Sequence, residues 1–385
     1  MFTDLLKHID PDYTVKKLEE MIAIPSVVRE EKELAYYLEE ELLSLGMKTE
    51  VQEVEPGRPN IYGRLSGSGS GKRLNFNGHL DTVPVVQGWD TDPFEPLTKD
   101  GKLFGLGSND MKGGIACILS MLKAFSDSGH VFDGELSFSG VIDEEAYGEG
   151  AKAMLKTDWG KVDAIVLGEP GIGDETSPTA LGITGKVLYD IYVYGKAAHG
   201  FHPEAGINAV EQAGIILANL SKLKIGDHEG FKGNYSTLKI EGGYDVYSVV
   251  VPAECRFEVN RLTVPGETVE GVIKDMNDLI ESLNLEASVE VKTKPPLYSS
   301  YLIDREDPFV ELFDETYKDV MGKPPHYQYS SSITDANTFA GEGDIPCIHV
   351  GPIGGGTHQK NEYVNLESLQ PVTRFYTELA ARFLS

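Results

Sequence analysis

His79 and Asp81 stand two residues apart in Gly78-His79-Leu80-Asp81-Thr82-Val83-Pro84, directly after Leu74-Asn75-Phe76-Asn77. That alternation predicts a half-buried strand. A strand that ends in His-x-Asp aims both side chains to one side. The Asp can then hydrogen-bond the imidazole and fix its tautomer while the other ring nitrogen binds a metal. Taken alone, the pair reads more often as a satisfied histidine in a strand-end turn. Other parts of the chain offer partners. Asp110 precedes the apolar helical run Ile115, Ile118, Leu119, Met121 and Leu122, where an Asp is either an N-cap or a ligand. Asp143-Glu144-Glu145 closes an apolar strand at 136–142. Three adjacent carboxylates repel one another unless a cation or open solvent separates their charges. Glu169 follows the strand 164–167, and His358 follows Gly354-Gly355-Gly356-Thr357, where backbone without side chains lets a ligand approach. Two histidines with several carboxylates suit a pair of borderline divalent metals such as zinc.

These side chains need a scaffold that gathers strand ends. Two helices are predicted between 13 and 45, broken at Pro25, followed by strands at 49–51 and 61–65. Residues 66–72 have the glycine content of a phosphate loop. Ser66 and Arg73 occupy the positions where that loop requires Gly and a magnesium-binding hydroxyl, so they read as a hairpin loop. Strands alternating with helices predict an α/β sheet with its polar groups at the strand ends. The pattern changes after about residue 177. Strands at 186–194, 236–240, 246–251, 256–262 and 287–291 enclose helices at 206–223 and 268–283. This block reads as an inserted α+β domain over 181–293, with Pro295-Pro296 marking the return. Residues 1–180 and 294–385 are then one catalytic domain.

The totals narrow the classes. A chain of 385 residues predicts two domains, and 41% hydrophobic with 25% charged residues is the balance of a globular protein. A net charge of -27 argues against nucleic-acid partners and against anchoring to an acidic membrane surface. Cys117, Cys255 and Cys347 are far apart with no Cys-x-x-Cys, which fits a reducing compartment. No signal-peptide pattern opens the sequence and no apolar run reaches spanning length, so a cytoplasmic protein is expected.

The set of motifs resembles the dinuclear zinc amidohydrolase and exopeptidase family of acetylornithine deacetylase, succinyl-diaminopimelate desuccinylase, aminoacylase and carboxypeptidase G. The resemblance runs along the whole chain through Gly78 to Pro84, Asp110-Met111-Lys112-Gly113-Gly114, Asp143-Glu144-Glu145 and His358 to Val364. It implies a zinc-exopeptidase-like catalytic domain, a mixed sheet flanked by helices, with an inserted ferredoxin-like lid and dimerisation domain. It implies that His79 and Glu169 hold one zinc, Glu145 and His358 the other, and that Asp110 bridges them. Cobalt or manganese are the alternative ions. Asp81 would orient His79, Glu144 would be the general base acting on a metal-bridged water, and His199 would stabilise the oxyanion from the partner of a homodimer. His202 is assigned to structure. The implied reaction is hydrolysis of an amide in a small N-acyl amino acid or related compound. A dipeptidase is the alternative, and a catalytically silent binding protein on the same scaffold is a third reading. Glu169 favours the deacylase branch, since an Asp at that place resembles the peptidase branch. Two departures touch the substrate. Leu262 stands where the family often has a carboxylate-clamping Arg, and Val249 where it often has Asn. Arg261 faces the opposite side of its strand. With Gly356 and Thr357 it is carried as a substrate-binding candidate.

Overall fold

The computed structural model describes residues 2–228 and 230–385. The chain forms two compact units. The first contains Met1–Leu181, Ile303–Gln328 and Thr334–Ser385, and the second contains Gly182–Leu302 and Tyr329–Ile333.

The first unit is built on a six-stranded mixed sheet. Its order is Lys48–Glu55, Arg58–Ser66, Glu135–Val141, Arg73–His79, Ala164–Leu167 and Cys347–His349. The last four strands are mutually parallel, and Arg58–Ser66 runs against them. Parallel strands need covered faces. The helix Lys112–Ser128 packs on the strand Arg73–His79 and on the helices Pro11–Ile22 and Leu366–Phe383, while Lys32–Ser44 covers Arg58–Ser66.

Arg73–His79 is a central strand, so it is buried on both faces rather than on one. Asn75 and Asn77 lie inside with Leu74 and Phe76. Their amides are satisfied across the strand pair, where Asn75 Nδ2 donates to Ser137 Oγ at 3.0 Å and Asn77 Nδ2 to Ser139 Oγ at 2.8 Å. For the same reason residues 66–72 are not a hairpin loop. The strands they join are separated in the sheet by Glu135–Val141.

A smaller sheet pairs Gly354–Gly355, Tyr363–Asn365, Lys102–Phe104 and Leu97–Lys99 in that order. It fixes both ends of the segment that carries His358. Among the described residues no helix is long and apolar enough to cross a membrane.

The second unit has four antiparallel strands in the order Asn234–Gly242, Glu254–Thr263, Gly185–Tyr194 and Ser288–Tyr298. The helices Ala209–Asn219 and Val269–Ser282 complete the chain order β-α-β-β-α-β, which is ferredoxin-like. Val187, Tyr189, Ile191 and Val193 meet Phe257, Val259, Ala213, Ile216 and Met276 in a core of its own. The strand expected at 246–251 does not form. Val250 makes only an isolated bridge to His199, and Val246 and Tyr247 are exposed. Its backbone pairs instead with the loop at 198–200, where the amide of Gly200 donates to Val249 and the amide of Val251 to Ala198. Pro295 and Pro296 lie within the strand Ser288–Tyr298, and the chain re-enters the first unit at Ile303.

Candidate metal centre

His79 is the last residue of its strand, paired in register with Val141, the last of the strand beside it. Asp143, Glu144 and Glu145 follow that neighbour, and Glu169 follows the next strand, Ala164–Leu167. Three adjacent strand ends therefore deliver ligating groups to one edge of the sheet. Asp110 arrives from the opposite direction, at the start of the helix Lys112–Ser128. A Cβ on Gly114 would fall 1.9 Å from the carbonyl oxygen of Gly168. Only glycine lets this helix approach the strand end that carries Glu169.

The side chains converge. Asp110 turns its two oxygens to different histidines, Oδ1 to His79 Nε2 at 3.1 Å and Oδ2 to His358 Nε2 at 3.4 Å. Beyond them, Glu169 Oε1 is 3.8 Å from His79 Nε2, and Glu145 Oε1 is 2.9 Å from His358 Nε2. Potential ligand atoms of His79, Asp110 and Glu145 lie within 4.8 Å of one another, as do those of His79, Glu144 and Glu169. His358 stands outside both triads and is half exposed, with a backbone φ of +60°.

The electrostatics are those of an acid cluster crowded around two imidazoles. Burial, then Glu169, pushes Glu144 well above the carboxylate range, and burial, then Asp110, does the same to Glu169. Burial also raises Glu145. Burial disfavours a charged His79, but Asp110, Glu169 and Glu144 outweigh it and raise the imidazole. Asp110 raises His358 to about 9. Burial opposes the charge of Asp110, yet His358 and His79 hold it below the ordinary value. Glu169 Oε1 is buried without a hydrogen-bond partner. Raised carboxyls together with an orphaned carboxylate oxygen are a donor set that a divalent cation satisfies, so the residues fit a metal.

The surroundings correct one expectation. Asp81 does not orient His79 through its carboxylate, which lies 3.8 Å from Nδ1. The main-chain carbonyl of Asp81 does so, accepting from Nδ1 at 2.8 Å and leaving Nε2 to face Asp110. The Asp81 carboxylate accepts instead from the amides of Glu144 at 3.2 Å and Glu145 at 3.0 Å. The strand ends at His79, so the alternation of faces stops before Asp81.

Other contributors carry no local motif. Arg58 joins buried Glu31 to Asp143, with Nη2 2.7 Å from Asp143 Oδ1. Asp143 has φ +73°, and its carbonyl accepts three amides of the turn beyond Glu145. Asp335 is buried with Oδ2 unpaired, and burial raises its carboxyl to about 7. These residues are far apart in the chain, so spacing gives no sign of them.

The substrate candidates divide. Gly356 has φ +74°, and Thr357 Oγ1 accepts from Asn109 Nδ2 at 2.8 Å, next to His358. Arg261 lies in the second unit and is only 3% exposed. Its Nη1 donates to the carbonyls of Asn234 and Leu262, and its Nη2 to Lys224 and to Glu267 at 2.6 Å. That is a structural role, because its terminal donors are engaged within the unit. Leu262 lies on the other face of the strand and is partly buried. His199 is exposed in the same unit, with its ring 5.2 Å from that of Phe201. Val249 is partly buried beside Gly200.

Comparison with known proteins gives one consistent picture. The family described as Peptidase family M20/M25/M40 matches residues 75–382. A succinyl-diaminopimelate desuccinylase of Orientia tsutsugamushi is 28% identical over 386 residues, covering 96% of this chain and 96% of that relative. N-formyl-4-amino-5-aminomethyl-2-methylpyrimidine deformylase of Bacillus subtilis is 28% identical over 392 residues, 91% of this chain and 88% of the relative. Among solved structures, aminopeptidase PepT from Bacillus cereus has the same fold, with a TM-score of 0.81 at 20% identity over 98% of this chain and 100% of that one.

Proposed function

The chain belongs to peptidase family M20/M25/M40 and is a hydrolase of C–N bonds, and we propose that it removes the acyl group from a small N-acyl amino acid or related amide. The observation that carries this is the split carboxylate of Asp110, one oxygen toward His79 and Glu169, the other toward His358 and Glu145. The desuccinylase and deformylase relatives support a deacylase over a peptidase.

In this reading His79 and Glu169 would hold one divalent ion and Glu145 and His358 a second, with Asp110 available to either. Zinc is the first choice, with cobalt or manganese as alternatives. When bound, the ions supply Lewis acidity to the scissile carbonyl and to water. Glu144 takes a proton from the attacking water and delivers it to the departing amine. Asp81 holds the backbone under Glu144 and Glu145. His199 donates to the developing oxyanion, supplied across a homodimer formed through the second unit. The first unit is then the catalytic domain and the second the lid and dimerisation domain. With Leu262 in place of an arginine, a substrate carboxylate is either held by backbone near Gly356 and Thr357 or absent.

The test is a chelated enzyme given zinc, cobalt or manganese, then assayed on acetyl, succinyl and formyl amino acids, their carboxamides, and dipeptides. Metal-dependent turnover of the acyl compounds is expected. Turnover that survives complete metal removal rejects the mechanism. Dipeptides cleaved at least tenfold better than every acyl compound select the peptidase instead. A strong preference for free acids over carboxamides rejects a substrate without a carboxylate, and Leu262→Arg measures what that clamp would add.

A further inference from the structure

Glu362 is a carboxylate with no place in the chemistry above, yet only 1% of it is exposed. It sits four residues after His358, and its carboxylate reaches across to residues 107–110, the segment that ends in Asp110. Its Oε2 accepts from the amide of Gly107 at 2.8 Å, and its Oε1 from the amides of Asn109 at 3.0 Å and Asp110 at 2.9 Å. Its own carbonyl accepts from the amide of Gly105 at 3.1 Å. Gly107 has φ +77°, a conformation glycine adopts freely, and this lets one carboxylate collect three amides from so short a stretch. A second tie runs parallel, from Asn109 Nδ2 to Thr357 Oγ1 at 2.8 Å. The neighbouring Lys112 is also buried, and its Nζ donates to the carbonyls of Met21 and Ile24, each at 2.9 Å. The loop bearing Asp110 is therefore anchored from below by Lys112 and clasped from above by Glu362.

We propose that Glu362 is a positioning residue that locks Asp110 to the His358 segment and so sets the affinity of one of the two metal positions. This rests on the metal assignment of the proposed function. The asymmetry follows from the connections. The ion held by Glu145 and His358 depends on the clasp for both Asp110 and His358. The ion held by His79 and Glu169 keeps two ligands on strand ends that Glu362 does not touch. Glu362→Gln keeps the shape but points an NH2 group at a backbone N–H, so one side of the clasp becomes repulsive.

The test is titration of the chelator-treated protein with cobalt, followed by calorimetry and by absorption, beside thermal unfolding of the metal-free form. The parent protein is expected to take up two equivalents. Glu362→Gln is expected to bind the first within about threefold of the parent and the second about 10- to 100-fold more weakly. Its metal-free melting temperature should fall by no more than a few degrees, the effect of one unsatisfied amide. Should Glu362→Gln not fold, Thr357→Val removes only the parallel tie and is expected to weaken the same equivalent by a smaller factor. Two equivalents bound as tightly by the variant as by the parent overturn the inference while leaving the metal assignment standing. Equal weakening of both, with a matching fall in melting temperature, also overturns it, since that marks a general scaffold role. A parent protein that binds fewer than two equivalents overturns the metal assignment and this inference with it.

Discussion

Replacing Asp81 by Asn should make the metal-free protein more stable and the enzyme slower. Burial lifts the Asp81 carboxyl from 3.8 to about 6, even though two amides donate to its oxygens. A group raised in the folded state contributes stability that is present below its unfolded pKa and lost as pH rises through the folded one. For Asp81 that window runs from about pH 4 to about pH 6. A shift of about 2 pH units at ~1.4 kcal/mol each is a penalty of ~3 kcal/mol on the ionised form. Asn carries no charge and escapes it. Urea denaturation in chelator should find Asp81→Asn more stable than its parent by up to ~3 kcal/mol at pH 8 and equal to it near pH 4. Function moves the other way. Asn keeps one acceptor, and the amide of either Glu144 or Glu145 then faces an NH2 group. Losing that contact, ~1.5–3 kcal/mol, corresponds to a fall in kcat of about 10- to 100-fold. Metal binding through His79 should persist, because its Nδ1 donates to the main-chain carbonyl that Asn also has. A variant less stable than its parent at pH 8 refutes the burial argument. An unchanged kcat refutes the claim that this carboxylate positions the turn.

Two further substitutions separate chemistry from scaffold. Glu144→Gln should lower kcat by about 10²- to 10⁴-fold with metal content unchanged, measured by elemental analysis beside steady-state kinetics; full activity would remove Glu144 from the role of base. Arg261→Met should leave KM of the folded enzyme unchanged but destabilise the second unit by ~3 kcal/mol, read by denaturation, because Glu267 loses its ion pair and the carbonyls of Asn234, Leu262 and Lys224 lose their donor. A raised KM without loss of stability would return Arg261 to substrate binding.

The layered α/β architecture is legible in the sequence because its strands are short apolar runs that end in charged residues. His79, Glu144, Glu145 and Glu169 each stand within a few residues of such an end, so local patterning suffices to place them. What is not legible depends on partners remote in the chain. Asn75 and Asn77 look solvent-facing until Ser137 and Ser139 are seen beside them. Arg261 looks like a substrate contact until the main-chain carbonyls around it are counted as acceptors. Strand alternation predicts a carboxylate contact for His79. The strand has already ended, and a carbonyl takes that place while the carboxylate serves two amides in another segment. Residues 246–251 have the alternation of a strand but no neighbouring strand to pair with.

The longer of the two excursions into the second unit, Gly182–Leu302, leaves and returns at one point of the first, where the amide of Ile303 donates to the carbonyl of Leu181 at 2.8 Å. Loop-closure entropy grows only with the logarithm of loop length, and each doubling costs about 0.6 kcal/mol. An insert whose ends already meet can therefore lengthen, shorten or be exchanged without pulling on the body that carries it. His79, Asp110, Glu144, Glu145, Glu169 and His358 lie in that body, whereas His199, Val249 and Leu262 lie in the insert. The metal-ligand candidates and the segment that bears the departures from the family pattern therefore sit on separately folded parts of one chain, and a change of length or sequence between Gly182 and Leu302 leaves the strand ends under the ligands in place.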